Sequence, residues 1–125
     1  VTDGDGGRGL DEGIERGVPL IIHAHGDNQT ALESLISKLE DCPISLTHQT
    51  HREIEGMRNP GGFTDGDRAA CIAISMGVKV SHIDLLGTRS DVVGKYSGAT
   101  DPKRKLEKLV WMKNVLEELG FEGIR

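Results

Sequence analysis

The chain has 125 residues, 36% of them hydrophobic and 28% charged, with a net charge of −5. That is long enough for one domain with a buried core and too apolar for a disordered chain. The acidic balance and an aromatic content of only 3% exclude a general nucleic-acid binder, which needs a basic surface and rings to stack bases, and no apolar run approaches the ~18 residues of a membrane span.

Strand-like and helix-like segments alternate, which predicts an α/β domain over residues 1–125 with a largely parallel sheet. Val1-Thr2-Asp3 reads as the end of a strand, so upstream sequence is expected to precede it. Asp3 to Gly9 is a glycine-rich loop, followed by a short helix near Leu10–Arg16. Val18 to Ala24 is almost continuously apolar, as central parallel strands are, with Pro19 at its beginning. Leu32, Leu35, Ile36 and Leu39 make one apolar stripe and predict a helix over 29–40, capped by Asn28 or by Thr30 with Glu33. Pro43–Thr47 is a strand, and 48–62 a long polar loop. A helix is predicted from Thr64-Asp65 to Gly77, then a strand from Val78 to Leu86. The last helix is the best punctuated: Asp101 is the N-cap, Pro102 stands at N1, and Gly120 follows its end. Leu106, Leu109, Val110 and Leu116 are its expected buried face. Cys42 and Cys71 lack any metal-ligand spacing and read as reduced core thiols of a cytoplasmic protein.

The chemistry gathers on aspartates. Asp3 and Asp5 follow the first strand end, Asp27 follows the second, and Asp65 and Asp67 open the helix after the third. In a parallel sheet these places share the carboxyl edge of the strands, where open α/β folds bind ligands. Converging carboxylates repel unless a divalent cation joins them, and an all-oxygen set suits Mg²⁺ better than zinc. Each aspartate taken singly is also common turn or cap chemistry. Gly61-Gly62-Phe63-Thr64-Asp65-Gly66-Asp67-Arg68 is a glycine turn feeding a helix start, a place whose N–H groups can hold phosphate, with Arg68 as a bidentate partner. His25, beside Gly26-Asp27, is a better site candidate than His23. Lys95, Arg89 and Lys103 to Lys105 are candidates for phosphate contact or for a solvated basic face.

Thr2-Asp3-Gly4-Asp5-Gly6, His23-Ala24-His25-Gly26-Asp27-Asn28, Gly61 to Ala69, and Leu86-Gly87 with Gly94-Lys95-Tyr96-Ser97 together resemble the archaeal 6-hydroxymethyl-7,8-dihydropterin pyrophosphokinase family, which is distantly similar to thiamine pyrophosphokinases. The resemblance spans Val1 to Leu119. It implies a three-layer, thiamine-pyrophosphokinase-like fold, with helices on both faces of a mostly parallel sheet. It implies transfer of the β,γ-pyrophosphoryl unit of ATP to a pterin alcohol, with AMP released, in pterin or folate-type cofactor biosynthesis. Mg²⁺ would sit on Asp3, Asp5, Asp27 and Asp65. His25, Asn28, Gly61, Gly62, Thr64, Arg68 and Lys95 would hold the nucleotide. Asp27 or Asp67 would take the alcohol proton, with Arg68 steadying the phosphates. A homodimer is implied by the thiamine pyrophosphokinase relatives. The sequence departs from the family at Gly4, where a bulky residue is usual, and at Thr88-Arg89, where Met-Asp often stands and Asp91 is a substitute. Family members also carry about a hundred further residues before the first aspartate motif, making this chain the catalytic part of a longer enzyme. Two other readings compete. Asp3-Gly4-Asp5 mimics the strand-end motif of haloacid-dehalogenase-type phosphatases and phosphotransferases, and a non-catalytic nucleotide- or metal-binding fragment would use the same acidic loops.

Overall fold

The apolar run after Pro19 forms a strand because both its faces can be buried. In the computed structural model it is β1, Leu20–Ala24, and residues 1–94 and 101–125 are described. They divide into two compact units, Val1–Asn59 and Pro60–Arg125.

In the first unit β1 pairs in parallel with β2, Ile44–His48, in a register that sets Leu20 opposite Ile44 and Ala24 opposite His48. The loop expected over 48–62 contains a short third strand, β3, Met57–Arg58, which pairs in parallel with β2. The sheet order is β1-β2-β3. Along the other edge of β1, Thr2 makes an isolated parallel bridge to Ile22. Thr2 N–H donates to the Ile21 carbonyl at 2.9 Å, and His23 N–H donates to the Thr2 carbonyl at 2.8 Å. The strand end read at Val1-Thr2 is therefore present as sheet pairing.

Two helices complete this unit: α1, Gly7–Glu15, and α2, Gln29–Ile36. Leu20 and Ile22 point to one face of β1 and form a core with Leu35 and Leu39, flanked by Leu10, Ile14, Leu32 and Cys42. Each fully buried aliphatic side chain contributes about 2 kcal/mol. α2 stops short of the predicted residue 40. After Ile36 the chain tightens into turns, with Lys38 N–H on the Leu35 carbonyl and Leu39 N–H on the Ile36 carbonyl. Leu39 still reaches the core.

In the second unit α3, Asp65–Ser75, begins behind Thr64 as expected. The segment Val78–Leu86, predicted as a strand, is instead a 3₁₀ turn at Val80–His82 followed by irregular chain. Its apolar residues have another use. Val80, Ile83 and Leu85 pack on a cluster of Ala70, Leu109, Met112, Leu116, Phe121 and Ile124, and among the described residues this unit offers no strand to pair with. α4 runs Pro102–Glu118, and the Asp101 carboxylate accepts the Arg104 N–H at 2.7 Å. Its buried face is Leu109, Met112 and Leu116. Leu106 and Val110, expected on that face, are exposed. The stripe runs i, i+3, i+7 from Leu109, and Val110 lies about 100° further round the helix. The α/β class thus stands on three parallel strands with helices. Among the described residues no helix is long and apolar enough to cross a membrane.

Candidate active site

Three of the singled-out aspartates lie in the first unit, at the carboxyl ends of Thr2 and β1. Asn28 organises the place. Its Nδ2 donates to the carbonyls of Asp3 and of His23, each at 2.8 Å, and its Oδ1 accepts the His25 N–H at 3.1 Å. Asn28 is the residue before α2, but its side chain makes no capping bond there; it ties two loops together instead. The Thr30–Glu33 capping box is not used.

The His25 ring lies between two carboxylates. Its Nε2 is 3.3 Å from Asp3 Oδ2, and its Nδ1 is hydrogen-bonded to Asp27 Oδ1. His23, two residues earlier, is buried, with its ring 5.9 Å from that of His25 and its Nδ1 3.1 Å from Thr47 Oγ1. Between Asp3 and Asp5 the chain turns at Gly4, whose φ of +101° is natural only to glycine and whose N–H donates to Thr2 Oγ1 at 3.1 Å. Carboxylate oxygens of Asp3 and Asp5 lie within 4.8 Å of each other. Asp3 Oδ1 is buried and has no hydrogen-bond partner among the described residues. Burial alone would push the Asp3 carboxyl up, but polar contacts with Asp5 and His25 and the charge of His25 outweigh it and hold the group below its ordinary range. Two close carboxylates, one with a buried oxygen lacking a donor, fit a hard divalent cation such as Mg²⁺.

The glycine turn and the start of α3 belong to the second unit. Gly62 has φ +90°, and a Cβ there would lie 2.5 Å from Arg68 Cα and 2.7 Å from Arg68 N. The turn therefore rests directly on the helix backbone, at a distance only glycine permits. Asp67, 0% exposed, binds the turn from within. Its Oδ2 accepts the Phe63 N–H at 2.6 Å, and its Oδ1 accepts the Thr64 N–H at 2.7 Å and the Thr64 hydroxyl at 2.5 Å. Arg68, 2% exposed, donates from Nη1 to the Gly61 carbonyl at 3.0 Å. Asp67 and Arg68 thus shape the turn that the sequence assigned to phosphate, and the Phe63 and Thr64 donors go to Asp67. Asp65 is the first residue of α3.

Arg89 and Asp91 form an exposed two-pronged ion pair, at 2.8 and 2.7 Å. Each shifts the other toward its charged form: the hydrogen bond to Asp91 raises Arg89, and that to Arg89 lowers Asp91. Lys95 and Tyr96 lie outside the described residues. The sequence reading missed Trp111. It is far from the motifs along the chain, yet its ring stacks on that of Phe63, with centroids 5.9 Å apart and planes at 21°. No local signal marks it, since a tryptophan on a helix reads first as core.

No family model matches the chain, and no solved structure does. Curated proteins do. A 6-hydroxymethyl-7,8-dihydropterin pyrophosphokinase from Pyrococcus furiosus is 37% identical over 98% of this chain and 54% of its own length. Proteins of the same name from Methanothermobacter thermautotrophicus and Methanocaldococcus jannaschii are 33% and 30% identical, over 98% and 95% of this chain and 55% and 53% of their own lengths. The chain spans about half the length of the curated relatives it matches. Over almost all of its own length, it is similar to the archaeal 6-hydroxymethyl-7,8-dihydropterin pyrophosphokinases.

Proposed function

We propose that this chain is the catalytic part of a diphosphokinase that moves the β,γ-pyrophosphoryl unit of ATP to the alcohol of 6-hydroxymethyl-7,8-dihydropterin and releases AMP. The observation that carries this reading is the acidic loop at the carboxyl edge of β1, where Asn28 holds the Asp3 and His23 backbones together. The names of the relatives supply the substrate. Asp3 and Asp5 would hold Mg²⁺; the sequence also gives Asp27 and Asp65 to the ion. When bound, the ion neutralises charge on the polyphosphate. His25 positions Asp3 and Asp27 through its two ring nitrogens. Gly61, Gly62 and Thr64 form the phosphate-facing turn, held from beneath by Asp67 and Arg68. With both Asp67 oxygens already accepting hydrogen bonds, Asp27 is the better acceptor for the alcohol proton, its side chain being 81% exposed. The same reading carries a three-layer, thiamine-pyrophosphokinase-like fold, a homodimer and a cytoplasmic location.

The test is incubation with ATP, Mg²⁺ and 6-hydroxymethyl-7,8-dihydropterin, with nucleotides separated by chromatography. The expected product is AMP, formed only with pterin and Mg²⁺ present and abolished by Asp65→Asn. Release of ADP or free phosphate instead would overturn the pyrophosphoryl-transfer reading in favour of a strand-end aspartate phosphatase.

A further inference from the structure

The chain has only four aromatic residues: Phe63, Tyr96, Trp111 and Phe121. Among the described residues Phe121 lies in the core of the second unit, while Phe63 is 47% and Trp111 55% exposed. Aromatic rings are the largest apolar side chains, and a small domain poor in them gains most by burying them. This chain instead stacks two of them on each other at its surface.

The turn that carries Phe63 is also held firmly. Phe63 follows Gly62, whose contact with the Arg68 backbone leaves room for no side chain. The Phe63 N–H is fixed by the fully buried Asp67 carboxylate. A buried carboxyl group and a glycine-only turn thus fix the backbone that carries one exposed ring, and α4 supplies Trp111 beside it. Rigid aromatic surface prepared before binding is what stacking recognition needs, because little order remains to be imposed when a ligand arrives.

We propose that Phe63 and Trp111 form a stacking platform for the planar heteroaromatic ring of a substrate. Phe63 is continuous with the Gly61–Thr64 turn, which places the platform next to the proposed phosphate-binding segment. The inference rests on the pyrophosphoryl-transfer reading for its choice of ligand: both ATP and the pterin carry such a ring.

Trp111 is the only tryptophan, so its fluorescence reports on this place alone. The whole chain, with Mg²⁺, is titrated separately with a non-hydrolysable ATP analogue, with 6-hydroxymethylpterin, and with tripolyphosphate as a control without a ring. A saturable change in Trp111 emission is expected with a ring-bearing ligand and not with tripolyphosphate, and whichever ligand gives it names the ring. Phe63→Leu, which keeps apolar bulk and loses the π-face, should weaken that ligand about tenfold, equivalent to ~1.4 kcal/mol of stacking. Trp111→Leu, read by calorimetry, should do the same. The proposal is overturned if tripolyphosphate produces the same signal, if neither variant changes affinity, or if emission responds only to protein dilution, which would make the pair a contact with a second copy. AMP formation without any effect of the two variants would sink the platform and leave the transfer reading standing. Ring-dependent quenching without AMP would do the reverse.

Discussion

A single side-chain amide, Asn28 Nδ2, holds the carbonyl of Asp3 and the carbonyl of His23 at the same distance, 2.8 Å. Residues far apart in sequence are thereby fixed at the end of β1. Asn28→Ala should cost about 1–3 kcal/mol in denaturant unfolding, since it leaves two carbonyls and the His25 N–H without their partner. Asn28→Asp should be worse than alanine, because a carboxylate oxygen would then face two carbonyl oxygens. An aspartate variant as stable as the native chain would show that the amide donates nothing.

Gly62→Ala tests the turn on α3. The substitution combines a positive φ with a Cβ driven into the Arg68 backbone. A loss of more than about 2 kcal/mol is expected, with a lower thermal midpoint. Gly13→Ala, at a helical position where the added Cβ meets nothing within 4 Å, should be neutral or slightly stabilising.

Asp67→Asn distinguishes a positioning carboxylate from a proton acceptor. An amide can accept at one atom only and presents N–H₂ to donors at the other. Because Asp67 receives two backbone N–H groups and a hydroxyl, the variant should lose about 2 kcal/mol of stability. If the residue only shapes the turn, the activity left to the folded variant should keep the pH profile of the native chain.

The two thiols should differ in reactivity. The thiolate is the nucleophile. Burial pushes the Cys71 thiol up and the Asp67 charge adds to it, outweighing Arg68, so its thiolate forms less readily than that of an ordinary thiol. Cys42 is only partly buried, with its Sγ on the Val18 carbonyl. Iodoacetamide at one fixed pH followed by mass spectrometry should label the partly exposed Cys42 in the folded chain, with Cys71 labelled only after unfolding. Equal labelling of both in the folded chain would contradict this.

What the sequence made legible was what local rules decide. Pro102 and Asp101 marked the start of α4, and the apolar run after Pro19 marked β1. The aspartates after Thr2 and after β1 do share the carboxyl edge of parallel strands. Tertiary competition hid the rest. Val78–Leu86 has strand composition, but its apolar residues are taken by the α4 cluster. Asn28 looked like a cap because the positions its side chain bridges are distant in sequence. Asp67 was read as a site acid, and its complete burial beneath the turn could not be read from a turn motif. Trp111 gained its meaning only from Phe63, which lies on a different element.

The bridge between Thr2 and Ile22 has a consequence for how this chain tolerates change. Asp3 is placed by backbone pairing, one residue beyond a fixed register. Successive strand residues face opposite sides, so inserting or deleting one residue at this junction would turn the carboxylate away from His25. The turn before β2, at Glu40–Asp41, is exposed and lies at the opposite end of the strands. Length variation should therefore accumulate at that turn and be purged next to Asp3, leaving one end of the first unit free to drift while the other stays fixed in length.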